Sequence, residues 1–422
     1  MKDIVLLSPP SRAINHYRPP LALMYVAEWY RRQGLEVKII DPKMTQVVRN
    51  KTFWENKDEI LKDIHDDIIG TLYVTPTKTI GISCYSTEIG EVRNLVRSIR
   101  SMSLHKHQGT KIIVGGVGPT LFPDDFKGWT DGVVRGRLDV GFPAYDLVDM
   151  NYYTNANPYA IRGVYLRATY VLSSMGCPSN CTFCVAPKLR EHYKIGYIKS
   201  PRQLSVEIGE LKEKYGIDGF YIIDDLFTID KGFVKEFCCN VKSLGLLWGC
   251  SSRVNTVDEL TIKAMSESGC IQMDFGVERG SDYELKRVRK GQSLSRVKET
   301  FGLCRKYRVR TFANFIVGLP EERQVDRDDI KDTVKELSPT ITSFNLFEPY
   351  PGTELHSKGV KEVNYNLLQW VKKSTKQSNS IWKNLQTHLS GRYWKVLFKA
   401  KKKLNFISQL WSLIAELVNQ SL

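Results

Sequence analysis

Met175-Gly176-Cys177-Pro178-Ser179-Asn180-Cys181-Thr182-Phe183-Cys184-Val185-Ala186-Pro187 sets three cysteines in a CxxxCxxC array. Three thiolates this close in sequence can surround one metal centre from a single loop. Three is one short of the four thiolates of an ordinary iron–sulfur cluster. A [4Fe–4S] cluster held by Cys177, Cys181 and Cys184 keeps one iron open to a small molecule. Gly176 tolerates unusual dihedrals and Pro178 fixes its own, which suits a tight loop at a strand end. Residues 165–174, just before it, read as one buried strand. The alternatives are a zinc site or three reduced thiols. A zinc site usually shows two CxxC-type pairs or a nearby His. Here no second pair follows, and His192 is the only His close by.

The chain has 422 residues, 42% hydrophobic and 25% charged, enough for two or three domains with a large core. The apolar run Ile4–Leu7 ends at Pro9 and Pro10, so it reads as a first strand and not as a signal segment. Nine cysteines in such a chain suit a reducing cytoplasm better than a disulfide scaffold. No apolar run reaches the length of a membrane-spanning helix, and no transmembrane segment is expected. The net charge of +15 permits contact with nucleic acid or an anionic membrane without requiring it. The motifs point to small-molecule cofactors, and nucleic acid is not among the expected partners.

Strand and helix patterns alternate along the first half. Strands are expected at 2–8, 35–41, 79–84, 111–116 and 131–136, with helices at 19–33, 55–69 and 88–103. This alternation predicts an α/β fold with a parallel, doubly wound, Rossmann-like sheet, whose ligands bind at the carboxyl ends of the strands. The expected organisation is a first domain over residues 1–140, a linker over 141–164, a partial (β/α)6 barrel of the TIM type over 165–357, and a basic helical tail over 358–422. In the barrel, strands are expected at 219–223, 246–251, 271–276, 310–317 and 341–347. Residues at such strand ends carry the chemistry of barrels. Asp224-Asp225, Arg253, Glu278 and Gly318 all fall there. Structural readings stand beside each: Asp225 or Thr228 capping the helix near Asp230, and Arg253 in an ion pair.

The three-cysteine array resembles the signature of the radical S-adenosylmethionine (SAM) enzymes. The resemblance implies that SAM chelates the open iron and that an electron from the cluster cleaves it to a 5′-deoxyadenosyl radical. It places Phe183 beside the adenine, one of Asp224 and Asp225 on the SAM ammonium, and Arg253 on the SAM carboxylate. Glu278, in Gly-Val-Glu-Arg-Gly, would approach the ribose or amino group, with Arg279 where the family usually has Ser. Gly318 would let backbone approach the ring.

The first half is similar to the cobalamin-binding domain that precedes many radical SAM domains. Ser8-Pro9-Pro10, Gly81-Ile82-Ser83, and Gly115-Gly116 with Thr120 carry this resemblance. It implies that Pro9, Pro10, Ser83, Gly115, Gly116 and Thr120 face cobalamin. No DxHxxG motif is present, which predicts a cobalt with no His beneath it. Gly118 and Arg137 stand where relatives often carry His and Glu.

Together these resemblances imply a cobalamin-dependent radical SAM enzyme, foremost a methyltransferase acting on an unactivated carbon. Ring contraction or cyclisation, and a non-catalytic cofactor-binding partner, are the alternatives. Expected cofactors are the [4Fe–4S] cluster, SAM and cobalamin. Expected partners are a small-molecule or peptide substrate and an electron donor such as flavodoxin or ferredoxin. Cys84, Cys238, Cys239, Cys250, Cys270 and Cys304 read as packing residues. The tail, with Trp370, Trp382, Trp394, Trp411 and the basic run 395–403, reads as a helical cap, with a lid or membrane-surface helix as the alternative.

Overall fold

The computed structural model describes residues 2–15, 18–45, 57–102, 109–136 and 141–378. Arg137 and the tail beyond Ser378, with Trp382, Trp394, Trp411 and the basic run, lie outside the described residues. The chain divides into two compact units. The first takes the residues up to Thr154 with Pro187–Lys194 and Tyr350–Gly352; the second takes Asn155–Ala186, Ile195–Pro349 and the described residues from Thr353 on. Among the described residues no helix is long and apolar enough to cross a membrane.

The first unit is built from β1 (Lys2–Leu7), α1 (Leu21–Arg31), β2 (Val37–Ile40), α2 (Lys57–Tyr73), β3 (Thr77–Ser83), α3 (Ile89–Ser101), β4 (Lys111–Gly115), the short α4 (Val117–Leu121), β5 (Gly132–Val134) and the short α5 (Met150–Tyr153). The five strands are parallel, in the order β2-β1-β3-β4-β5. Val5, Leu7, Ile80, Ile82, Ile112 and Val114 meet Ile60, Ile64, Ile68 and Leu72 of α2 in one core. The four α2 residues recur every fourth position, the stripe a helix must bury. Each such side chain, fully buried, stabilises by about 1.5–3 kcal/mol. Strand order reverses between β1 and β3. The loops after Leu7, Ser83 and Gly115 therefore leave one edge beside a topological switch point, where open α/β sheets take ligands.

The second unit runs β6 (Ala168–Val171), β7 (Ser174–Met175), α6 (Ala186–Leu189), β8 (Gly196–Tyr197), α7 (Pro201–Tyr215), β9 (Gly219–Ile222), α8 (Lys231–Val241), β10 (Leu247–Ser252), α9 (Glu259–Glu267), β11 (Cys270–Glu278), α10 (Asp282–Arg287), α11 (Leu294–Lys306), β12 (Arg310–Val317), α12 (Gln324–Leu337), β13 (Ile341–Leu346), α13 (Glu354–Ser357) and α14 (Leu368–Ser378). Its main sheet is parallel, in the order β13-β12-β11-β10-β9-β6. The fold is thus the expected α/β pair: a Rossmann-like sheet and a six-stranded partial barrel. Phe237 of α8 packs on Phe227 at 5.5 Å and on Trp248 of β10 at 5.5 Å, and Trp248 is fully buried. On the far strand, Trp370 of α14 meets Phe344 edge-on at 5.3 Å.

Three local features differ from the sequence reading. The run 165–174 is not one strand: it breaks after Val171, and Ser174–Met175 pairs antiparallel with Gly196–Tyr197. The α8 cap is Asp230, whose carboxylate accepts from Gly232 and Phe233, not Asp225 or Thr228. Within 141–164 the chain does not simply cross the surface; Met150, Tyr153, Ala160, Ile161 and Val164 are buried. Tyr153 donates to Asp41 at the end of β2, because a buried phenol needs a partner. Of the scattered cysteines, Cys84, Cys238, Cys250, Cys270 and Cys304 are buried, whereas Cys239 is exposed.

Gly116 has φ +110°, and a Cβ there would lie 2.8 Å from the Cys84 carbonyl oxygen. Gly116→Ala therefore combines a strained backbone with a clash against β3's exit. It should cost roughly 1–3 kcal/mol and lower the urea midpoint followed by circular dichroism. An unchanged midpoint would mean that the two strand ends part without cost.

Candidate active site

The cysteine loop is held from below by four ionisable side chains. Where β6 ends, the Leu172 carbonyl accepts from Lys199 at 3.0 Å, and Lys199 is paired with Glu207 in full burial. The Asp224 carboxylate, just past β9, accepts the Ser173 N–H at 2.7 Å, the Ser174 hydroxyl at 2.7 Å and the Ser173 hydroxyl. Asp225 accepts the Gly176 N–H at 2.8 Å. Asp224 is 1% exposed, and burial pushes its carboxyl up to about 6 against the pull of the serine bonds. Asp225 is exposed.

The three thiols follow directly. Cys181 is buried, and Cys184 accepts the Ala186 N–H at 3.4 Å. Burial, together with the neighbouring Cys181 and Cys177 sulfurs, pushes the Cys184 thiol up to about 11. Among the described residues, no three His, Cys, Asp or Glu side chains are close enough to hold a single metal ion.

Arg253 follows β10. Its Nη1 donates to Cys181 Sγ at 3.6 Å and its Nη2 to the Lys290 carbonyl. The Thr182 N–H donates to the Val288 carbonyl at 3.2 Å, so the segment 288–290 brackets the loop's second half. The Lys290 ammonium pairs with Glu278 at 2.8 Å and lies 6.0 Å from the Phe183 ring centre. Phe183 packs against Val288, Leu319 and Phe347. Glu278 has φ +69° and sits at a register shift between β11 and β12. Such strain in a non-glycine residue gathers at functional sites. Gly276 makes room for the pair: a Cβ there would collide with Glu278 Oε1 and come within 2.7 Å of Lys290 Nζ.

Gly318 is placed by a network that the sequence reading missed. Its N–H donates to Glu322 at 3.0 Å. Arg279, wholly buried, donates to the same Glu322 at 2.6 Å, to Glu284 at 2.9 Å and to the Ile316 carbonyl at 2.6 Å. Arg327 and Arg287 complete it on Glu322 and Glu284. The signal was present, since Arg279 replaces a small residue at a strand end. Its two carboxylates lie 5 and 43 residues on, and spacing alone does not select them.

In the first unit, Pro9, Pro10, Ser83, Gly115, Gly116 and Thr120 all lie at the carboxyl edge of the sheet. Pro9, Pro10 and Thr120 are buried. The Thr120 hydroxyl donates to the Gly116 carbonyl at 2.6 Å and accepts the Gly136 N–H at 3.1 Å, tying two loops together. Ser83 accepts from Arg12 at 2.9 Å; Arg12 also grips Glu88 with two nitrogens and covers the half-exposed Tyr85 ring at 4.1 Å. The loop between β1 and α1 also carries His16, which lies outside the described residues.

Two outcomes follow from these geometries. Burial shifts Asp224 toward its neutral form in the folded chain, relative to an ordinary carboxylate. Its contribution therefore favours folding below the ordinary carboxylate range and is lost as pH rises through about 6. Relative to Asp224→Asn, the wild-type chain should lose on the order of 1 kcal/mol between pH 5 and pH 7 in paired urea titrations. A flat difference would place Asp224's titration below this window. Arg279→Met leaves Glu284 and Glu322 buried without their shared cation, and should cost about 3–5 kcal/mol in the same assay. A loss under about 1 kcal/mol, the range of an exposed pair, would show that the network is dispensable.

Comparison with known proteins adds to this geometry. The Radical SAM superfamily profile matches residues 171–336 and the B12 binding domain profile matches residues 12–145. An uncharacterized methyltransferase of Pyrococcus horikoshii is 26% identical over 89% of this chain and 86% of its own. An anaerobic magnesium-protoporphyrin IX monomethyl ester cyclase of Cereibacter sphaeroides is 23% identical over 80% of this chain, and the alignment spans 60% of the cyclase. The radical SAM methyltransferase TsrM of Kitasatospora setae, solved with cobalamin and a [4Fe–4S] cluster, superposes with a TM-score of 0.63. It is 16% identical and covers 84% of this chain and 77% of its own. The first profile implies a [4Fe–4S] cluster and SAM, and the second implies cobalamin. Cys177, Cys181 and Cys184 are free thiols on one loop, a donor set that would fit such a cluster with one iron left open. The carboxyl edge of β1, β3 and β4, at the point where the strand order reverses, is where such a sheet would take cobalamin. With both domain types in one polypeptide, the chain belongs to the cobalamin-dependent radical SAM enzymes.

Proposed function

We propose that this enzyme is a C-methyltransferase acting on an unactivated carbon of a small molecule or peptide. The observation that most supports radical SAM chemistry is the three-thiol loop at the carboxyl edge of a parallel sheet, beside strained Glu278. Methyl transfer over cyclisation is supported by the relative named a methyltransferase, which aligns along most of both chains, whereas the cyclase aligns over 60% of its own length. In this reading Cys177, Cys181 and Cys184 hold the cluster. Phe183, with Val288, Leu319 and Phe347, forms an apolar wall that keeps water from the adenine side. Asp224, its oxygens filled by the serines, orients the loop; exposed Asp225 is the carboxylate of the pair left to meet a SAM ammonium. Glu278, positioned by Lys290, offers a charge-assisted bond to the ribose or amino group. Pro9, Pro10, Ser83, Gly115, Gly116 and Thr120 line the cobalamin edge. When bound, the cluster and SAM supply hydrogen abstraction and cobalamin supplies the methyl group. A flavodoxin- or ferredoxin-type protein supplies the electron.

SAM turnover tests this reading. Anaerobically reconstituted protein should hold about four irons per chain. With reductant and cobalamin it should convert SAM to both S-adenosylhomocysteine and 5′-deoxyadenosine. Cys177→Ala, Cys181→Ala and Cys184→Ala should each abolish the deoxyadenosine. Deoxyadenosine alone would favour cyclisation, and neither product would leave a cofactor-binding partner protein.

A further inference from the structure

Arg253 is fixed in place by the protein itself. One terminal nitrogen donates to Cys181 Sγ at 3.6 Å and the other to the Lys290 carbonyl. The receiving segment is anchored in turn, by Thr182 N–H on the Val288 carbonyl at 3.2 Å and by the Lys290 ammonium on Glu278 at 2.8 Å. Cys181 is 5% exposed, so its sulfur has little water around it, and a charge held there is screened far less than one at the surface. The guanidinium thus points at a sulfur of the cysteine loop, with both terminal nitrogens engaged inside the protein.

We propose that Arg253 raises the reduction potential of the cluster by donating to the Cys181 sulfur. This rests on the reading of Cys177, Cys181 and Cys184 as cluster ligands. In the step concerned, the cluster passes from [4Fe–4S]2+ to [4Fe–4S]+, taking one electron from a flavodoxin- or ferredoxin-class donor; no bond forms or breaks. The electron adds negative charge to a site that already carries three thiolates. A fixed cation and an N–H donor at one of those sulfurs favour the reduced form. Removing them makes the cluster harder to reduce. This role is separate from binding the SAM carboxylate, and it operates with no SAM present.

The test is a redox titration of the reconstituted full-length protein without SAM, followed by electron paramagnetic resonance of the reduced cluster. Arg253→Met should lower the midpoint by about 59 mV or more, a tenfold shift in the one-electron equilibrium. Lys242→Met, which removes the same charge from an exposed site at the end of α8, should leave it unchanged. If Arg253→Met does not retain iron, Arg253→Gln takes its place, since its amide can still donate to the Lys290 carbonyl. An unaltered midpoint in a neutral variant that holds about four irons overturns the proposal. So does loss of the cluster from both neutral variants with retention in Arg253→Lys, which would make Arg253 an assembly residue. A wild-type chain that binds no iron would instead refute the cluster reading itself.

Discussion

A carboxylate taken out of water must have its lone pairs filled, and Asp224 fills them with the chain that feeds the cysteine loop. The bonds from Ser173 and Ser174 explain why the strand before the loop stops at Val171. A residue bonded sideways to the end of β9 cannot also continue the ladder of β6. The chain turns instead, makes two residues of antiparallel ribbon, and enters the loop at Gly176 with its N–H on Asp225. Lys199 and Glu207 brace the same turn on the Leu172 carbonyl. The course of the chain into the thiol loop is therefore set by ionisable groups that bond its backbone and serine hydroxyls.

Much of this was legible in the sequence. Alternating strand and helix patterns gave two parallel sheets, and β12 was read over 310–317, where it lies. The clustering of the three cysteines was legible because their spacing is local and the loop joins them directly. What was not legible depends on distance along the chain. An apolar run from 165 to 174 looks the same whether it is one strand or a strand with a break, and Asp224 lies some 50 residues away. Arg253 could be assigned to any nearby anion until its 72-residue reach to Cys181 was seen. Arg279 looked like a departure from a pattern, yet it is the cation on which two buried carboxylates and the Gly318 loop converge. The helix cap at Asp230 was missed by a few residues because several Asp and Thr side chains compete over a short span.

The carboxyl edge of the five-stranded sheet is organised by the same logic at lower density. Thr120 joins the Gly116 and Gly136 turns, and Arg12 links Ser83, Glu88 and the Tyr85 ring. Neither Arg12 nor Glu88 carried a motif. Both follow once β1 and β3 are neighbours, because residues just past two adjacent parallel strands must share one edge.

The strand order of the six-stranded sheet has a consequence for how the chain is made. From β6 through β9, β10, β11 and β12 to β13, each strand pairs with the one before it in the main sheet. A ribosome delivering the chain from its N-terminus can add them one at a time to a single growing side. The cysteine loop emerges after the first of these strands, whereas Arg253, Glu278 and the 288–290 bracket arrive with the third and fourth. The thiols are therefore synthesised before most of their cover. For that interval the nascent chain presents three thiols, of which the finished protein buries Cys181 and half-buries Cys177 and Cys184.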